Sequence, residues 1–230
     1  MRFAKKNSLV TGGGGGIGSA TVERLALEGA TVYLMDRSAG NVSETESVLK
    51  DKGIVVNTFV GDVTQLEDLE TIYGLIDREC GGVDIVVNVA GGSRAGYVTT
   101  LDPDEWDELY ALNMKSTINS CRLAVKQMSR KGQGSIVNMS SISGLRGDPG
   151  WGAYNSQKAA IINFTECLAW EVGQHGIRVN AVCPGPIASK RMISTLPAGG
   201  RFQDAYDQAC AIGRMGRPDE VASSIAFLAS

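Results

Sequence analysis

Ser8-Leu9-Val10-Thr11-Gly12-Gly13-Gly14-Gly15-Gly16-Ile17-Gly18 decides how the rest of the chain is read. A short apolar, partly β-branched run, Ser8–Thr11, predicts a strand. A run of glycines at 12–16 follows at once, and a helical pattern opens at Ile17. Glycines between a strand and a helix let the backbone turn tightly and let a ligand come close to it.

Outward from this stretch, strand-like and helix-like segments alternate. Apolar runs recur at Thr31–Met35, Ile54–Val60, Val83–Val89, Ser135–Met139 and Ile177–Val182. Between them lie helical patterns at Ile17–Glu28, Ser43–Lys52, Gln65–Glu79, Glu105–Arg130 and Ala153–Gln174. Near-continuous apolar strands suit a sheet buried on both faces. Strict alternation implies parallel strands with right-handed crossovers, which is a doubly wound α/β fold. Ligands of such sheets bind at the carboxyl ends of the strands. The length of 230 residues fits one domain, 1–230. Positions 184–216, rich in Gly, Pro and Ser, break the alternation. They predict a long loop, with 186–215 as a lid over a substrate. A helical pattern, Pro218–Ala229, ends the chain with no strand after it.

Composition narrows the function. The formal net charge is -3 and charges are interspersed, which argues against a nucleic-acid partner. A single histidine, and five cysteines with no CxxC pair, exclude most zinc arrangements, so no metal is expected. The cysteines read as free thiols of a reducing compartment. No apolar run approaches membrane-spanning length and Met1–Ser8 does not resemble a signal peptide, so a soluble cytoplasmic protein is expected.

The glycine loop suits a pyrophosphate, with the N–H groups and dipole of the following helix facing it. The second strand leads to Asp36, roughly 20 residues beyond the loop, where an acid accepts hydrogen bonds from an adenosine ribose. A 2′-phosphate would meet a like charge there, and the loop holds no Lys or Arg. NAD is therefore expected rather than NADP, with Arg37 the one residue that could turn toward a phosphate.

Tyr154 and Lys158 stand four apart in a helical segment, on one face. A free tyrosine is a poor base at neutral pH, and a nearby ammonium favours its phenolate. Such a pair can exchange a proton with a substrate oxygen. Ser141 lies thirteen residues earlier, at the end of a strand, where its hydroxyl could hold that oxygen. Ser140 competes with it for the role.

Taken in order, these residues resemble the short-chain dehydrogenase/reductase family along essentially the whole chain. The motifs are Thr11-Gly-x-x-x-Gly16-Ile17-Gly18, Asp62-Val63, Asn88-Val89-Ala90-Gly91, Asn113, Ser141, Tyr154-x-x-x-Lys158 and Pro184-Gly185. The resemblance implies a Rossmann fold and hydride transfer between NAD(H) and a secondary alcohol or ketone. It implies Tyr154 as general acid/base, with Lys158 lowering its pKa and binding the nicotinamide ribose. Ser141 would orient the substrate, and Asn113 would hold a water linking Lys158 to solvent. It implies cofactor contacts at Gly12, Gly14, Gly16, Ile17, Gly18, Asp36, Arg37, Asp62, Val63, Asn88, Ala90, Gly91, Tyr154, Lys158, Pro184, Gly185 and Ile187. Family members often carry asparagine where Val89 stands. They usually continue past Ala229 with a seventh strand, which is expected to be missing here. The family also implies a homotetramer or homodimer built through the helices that carry Asn113 and Tyr154. Two other readings are a 3-oxoacyl-carrier-protein reductase using NADPH and a cofactor-sensing protein without turnover.

By position, Ser93, Arg94, Arg146, Trp151 and the 186–215 segment surround the substrate. The arginines could pair with a carboxylate, or simply face solvent. His175 follows the Tyr154 helix and reads as a helix-end residue rather than a catalytic one.

Overall fold

The computed structural model describes residues 1–195 and 201–230. The strands are β1 (Asn7–Thr11), β2 (Thr31–Asp36), β3 (Asn57–Val60), β4 (Ile85–Asn88), β5 (Gly134–Met139) and β6 (Ile177–Val182). Among the described residues they form one six-stranded sheet in the order β3-β2-β1-β4-β5-β6, with every pair parallel. The chain runs outward from β1 to β3, then returns to β4 beside β1, where Thr11 is in register with Asn88. That reversal opens a crevice at the carboxyl ends of β1 and β4, the place where such sheets bind ligands.

The helices are α1 (Gly16–Leu27), α2 (Ala39–Asp51), α3 (Leu66–Cys80), α4 (Pro103–Tyr110), α5 (Ser116–Lys131), α6 (Gly152–Val172), α7 (Lys190–Thr195), α8 (Arg201–Gln208) and α9 (Pro218–Ala229). Successive strand residues face opposite layers. Leu9, Tyr33, Val86, Ile136 and Val179 pack with Ile72, Ile76, Met128 and Leu168. Val10, Leu34, Val87 and Val137 pack with Val22, Leu25, Leu49 and Ile225 on the other side. Both faces are covered, which is why the strands read as unbroken apolar runs.

Several boundaries differ from the sequence pattern, among them β4, which spans Ile85–Asn88 rather than Val83–Val89. The third strand begins at Asn57, not Ile54, because Gly53 adopts a positive φ of 74° and Ile54 N–H turns back to Leu49 O. α2 begins before Ser43 because the Ser38 hydroxyl caps it by accepting from Asn41 N–H. The expected single helix over 105–130 is split by a π turn, Ala111–Lys115, that carries Asn113. The 184–216 stretch is not all loop, since α7 and α8 lie within it and a parallel bridge pairs Ile187 with Gly216.

A polar cluster is buried beneath the crevice. Tyr73 OH bonds Ser120 Oγ at 2.9 Å, and Ser120 Oγ donates to Asn88 Oδ1 at 2.6 Å. Asn88 Nδ2 donates to Asn138 Oδ1, and Asn138 Nδ2 donates to Thr165 Oγ1. Each buried polar atom named here has a partner, as burial requires. Cys121 sits among them, and burial pushes its thiol up to about 12. All five cysteines are free. No helix among the described residues is long and apolar enough to cross a membrane.

Candidate active site

The glycine run is dictated by contact. A Cβ on Gly18 would lie 2.0 Å from Gly12 O, and one on Gly12 would lie 2.7 Å from Ala90 N. Gly12 also has a positive φ of 66°. Any side chain at these positions would push α1 off the loop or the loop off β4. No side chain caps the N-terminus of α1, and its first turn holds no acid, whereas α3, α4 and α9 begin with Glu67-Asp68, Asp104-Glu105 and Asp219-Glu220. The α1 turn is thus open to an anion where the others are already neutralised. Gly14, Gly16 and Ile17 lie in this turn, and Ile17 also packs on the core.

At the end of β2, Asp36 accepts from Gly14 N–H at 3.1 Å and from Ser38 N–H at 3.0 Å, one bond to each oxygen. A carboxylate oxygen has two lone pairs, so each retains capacity for a ribose hydroxyl. Arg37 beside it is exposed. Asp62 caps its own turn by accepting from Thr64 N–H, and the Val63 side chain packs into the core, so its backbone is what the crevice receives. Asn88 likewise turns its side chain inward to Asn138 and Ser120, leaving its backbone at the cleft. Ala90 N–H lies 3.4 Å from Thr11 Oγ1, and Gly91 follows it.

Tyr154 and Lys158 occupy the first two turns of α6. The Lys158 ammonium lies 5.6 Å from the centre of the Tyr154 ring and donates to Met139 O at 2.8 Å. Lys158 is 4% exposed, and burial lowers its pKa to about 8, a shift that Cys183 partly opposes. The lysine remains cationic at neutral pH while sitting in a poorly solvated pocket, the setting in which a charge acts strongly on its neighbour.

The structure separates the two serines. Ser140 Oγ donates to Lys158 O at 2.7 Å, and Ser140 N–H bonds Val182 O, so this residue ties β5 to α6 and β6. Ser141 Oγ accepts from Ser143 N–H at 3.1 Å and keeps its own proton to give. Asn113, fully buried, is bound through its side chain to both backbone groups of Gly92 and to Gln157. Of the four residues expected from sequence, Tyr154 and Lys158 share one face of α6, Lys158 reaches the end of β5 at Met139 O, Asn113 holds Gly92 after β4, and Ser141 follows β5.

On the facing side, Pro184 O accepts from Ile142 N–H, and Ile187 packs on Gly216. Gly185 lies beside Ile142. Beyond them Ser189, which the sequence reading passed over, caps α7 through Met192 N–H and lies 3.1 Å from where a Gly16 Cβ would be. A serine at the start of a helical stretch was the available signal. Lys190 ion-pairs with Glu44 of α2 across the cleft. Thr45 was also missed; its hydroxyl donates to Gly14 O at 3.1 Å.

Both arginines lie near acids at the surface. Arg94 pairs with Glu105 and Glu108, and Arg146 reaches Asp148 at 3.6 Å. Trp151 stands edge-on to Tyr154, with ring centres 6.3 Å apart. Gly96 N–H bonds Gly150 O and pins together the loops that follow β4 and β5. Tyr97, Val98 and Leu145 on those loops are exposed. His175 lies in a 3-10 turn at the end of α6, away from Tyr154. The expected lid lies only partly within the described residues, which omit 196–200.

The sheet order and the open glycine turn define a doubly wound protein of the Rossmann class. A family model described as short chain dehydrogenase matches residues 6–198. The chain is 34% identical over 232 residues to the 7alpha-hydroxysteroid dehydrogenase of Bacteroides fragilis, covering 100% of this chain and 89% of that one. It is 35% identical over 230 residues to a 3-oxoacyl-[acyl-carrier-protein] reductase of Thermotoga maritima, covering 100% and 92%. A crystal structure of a variant actinorhodin polyketide ketoreductase with NADPH superposes with a TM-score of 0.94 at 28% identity, covering 100% of this chain and 92% of that one. The chain belongs to the short-chain dehydrogenase family, a family of oxidoreductases.

Proposed function

We propose that this protein transfers hydride between NAD(H) and a secondary alcohol or ketone, with Tyr154 as general acid/base. The observation that carries the reading is the buried Lys158 ammonium 5.6 Å from the Tyr154 ring, on the same face of α6. In the oxidative direction Tyr154 takes the hydroxyl proton of the substrate. Lys158 stabilises the phenolate by its charge, and Ser141 Oγ donates to the substrate oxygen. A nicotinamide bound in the crevice would supply the hydride acceptor. The residues present fit such a cofactor. The pyrophosphate would lie at the Gly12–Gly18 turn and the adenosine ribose at Asp36. Asp62, Val63, Ala90 and Gly91 would contact the cofactor chiefly by backbone, and Pro184–Ile187 would flank the nicotinamide.

Asp36 supports NAD over NADP, because a 2′-phosphate would face its carboxylate. A second reading, reduction of 3-oxoacyl carriers with NADPH, draws on Arg37, exposed beside Asp36, and on the kinship with the Thermotoga maritima reductase. The pairing of Arg94 with Glu105 and the exposed Tyr97, Val98 and Leu145 favour an uncharged, largely apolar substrate. The 186–215 segment is proposed as the cover over it.

Initial rates with NAD and NADP over a panel of cyclic alcohols, diols, sugars and 3-oxoacyl thioesters test both readings. We expect oxidation of an apolar secondary alcohol, with kcat/KM at least about tenfold higher for NAD, equivalent to about 1.4 kcal/mol. A preference for NADPH with 3-oxoacyl thioesters would replace the first reading by the second.

A further inference from the structure

Among the described residues two buried side-chain atoms have no hydrogen-bond partner, Asn155 Oδ1 and Gln157 Nε2. Both lie between Tyr154 and Lys158 on α6, and the second can be argued outward from the backbone. Gly92 N–H donates to Asn113 Oδ1 at 2.9 Å, and Gly92 O accepts from Asn113 Nδ2 at 2.9 Å. These two bonds fix which end of the Asn113 amide is nitrogen. The second Nδ2 proton goes to Gln157 at 2.8 Å, so Gln157 must present Oε1 there. Turning the Gln157 amide over would set two NH2 groups against each other. Nε2 is therefore held away from Asn113, in a residue 4% exposed, with its protons unspent. An unmade buried donor destabilises the fold, while an apolar side chain of the same size would instead leave the second Asn113 Nδ2 proton without an acceptor. The bond from Asn113 accounts for Oε1 at this position and leaves Nε2 without a structural use.

The surroundings supply a use. Gln157 precedes Lys158 and is three residues from Tyr154, on the same side of α6. Asn113 Oδ1 and Lys158 Nζ converge on one point, since a Cβ on Gly91 would lie 2.9 Å from the first and 3.6 Å from the second. Both amide protons of Asn113 are spent on Gly92 O and Gln157 Oε1, so its side chain has none to give to a water. We propose that Gln157 is a positioning residue that fixes Asn113 and the Gly91–Gly92 turn through Oε1, and that its Nε2, not the Asn113 amide, is the donor to the water through which Lys158 exchanges its proton with solvent.

This inference rests on the function proposed above, and the test separates the two. Gln157→Met removes both polar atoms at nearly constant volume. Gln157→Glu keeps the acceptor for Asn113, removes the donor and adds a negative charge near Lys158. With the best alcohol from the panel, Gln157→Met is expected to lower kcat about tenfold with KM for NAD within about twofold. Gln157→Glu is expected to move the pH profile of kcat up by about one unit, because the added carboxylate favours the ammonium. A kcat equal to the parent's in Gln157→Met, or an unmoved profile in Gln157→Glu, would overturn the proposal. Amide exchange at Gly92, read by mass spectrometry, needs no turnover. It is expected to quicken in Gln157→Met and not in Gln157→Glu, and equal protection in all three proteins would also overturn it. A parent that oxidises no alcohol would count against the function, while Gly92 exchange would still decide the clamp.

Discussion

Along the floor of the cleft Asp36, Asn88, Ser140 and Lys158 are hydrogen-bonded to backbone or to buried neighbouring side chains, whereas along its rim Tyr97, Val98 and Leu145 stand 66%, 70% and 67% exposed. The floor is built at strand ends, where neighbouring strands dictate each position. The rim is built on loops, held by contacts that include the Gly96–Gly150 bond, Asn155 Nδ2 donating to Arg146 O and the edge contact of Trp151 with Tyr154. A floor of this kind fixes a reaction, because its groups do not reorganise when a substrate arrives. A rim of this kind selects a substrate by shape and apolar contact, and can change without disturbing the chemistry below it.

Substitutions can break that division. The largest effect is expected on the floor. Tyr154→Phe keeps the ring against Trp151 and removes the hydroxyl, so turnover should fall about 10³-fold. NADH affinity by fluorescence titration should stay within about twofold. Normal turnover in this variant would remove the floor's claim to the chemistry.

Next comes the pH dependence of stability. Burial lowers the folded-state pKa of Lys158 from 10.5 to about 8. Between those values the unfolded chain holds more protons than the folded one, so this group makes stability rise with pH, and its charged form weighs against folding below about 8. Relative to Lys158→Met, the parent should gain about 1.4 kcal/mol between pH 7 and pH 9 in urea unfolding. A constant difference would mean that Lys158 is better solvated than its burial indicates.

The smallest effect is expected on the rim. Trp151→Ala removes an aromatic face at the rim, and a contact between such a face and a substrate ring contributes about 0.5–1.5 kcal/mol. KM for a ring-bearing alcohol should rise about three- to tenfold, with kcat nearly unchanged. A collapse of kcat instead would show that rim and floor are not separable at Tyr154.

The same division governs what could be read from sequence. The strands of the sheet were legible because each is a run of apolar residues covered on both faces. The edge strand β3 was overextended, since nothing in Ile54–Val56 betrays the left-handed turn at Gly53. The break at Ala111–Lys115 left no trace in a segment that keeps helical spacing from end to end. Asp36 was found from its distance to the glycine loop, and Tyr154 and Lys158 from spacing, whereas Asn113 came only through a family likeness. Gln157 escaped notice because its partner, Asn113, is 44 residues away and only folding brings them together. Arg94 could be read from sequence as either facing solvent or pairing with a carboxylate, because its neighbours Glu105 and Glu108 meet it only in the fold.

The bridge between Ile187 and Gly216 has a consequence for how the 186–215 segment meets the sheet. It ties the two ends of the 186–215 segment at its base, next to Pro184 on one side and the start of α9 on the other. The bridge therefore keeps Pro184 and the start of α9 in place beside the strand ends, and with Ser189 against Gly16 and Lys190 on Glu44 it forms a fixed base from which the rest of the segment departs.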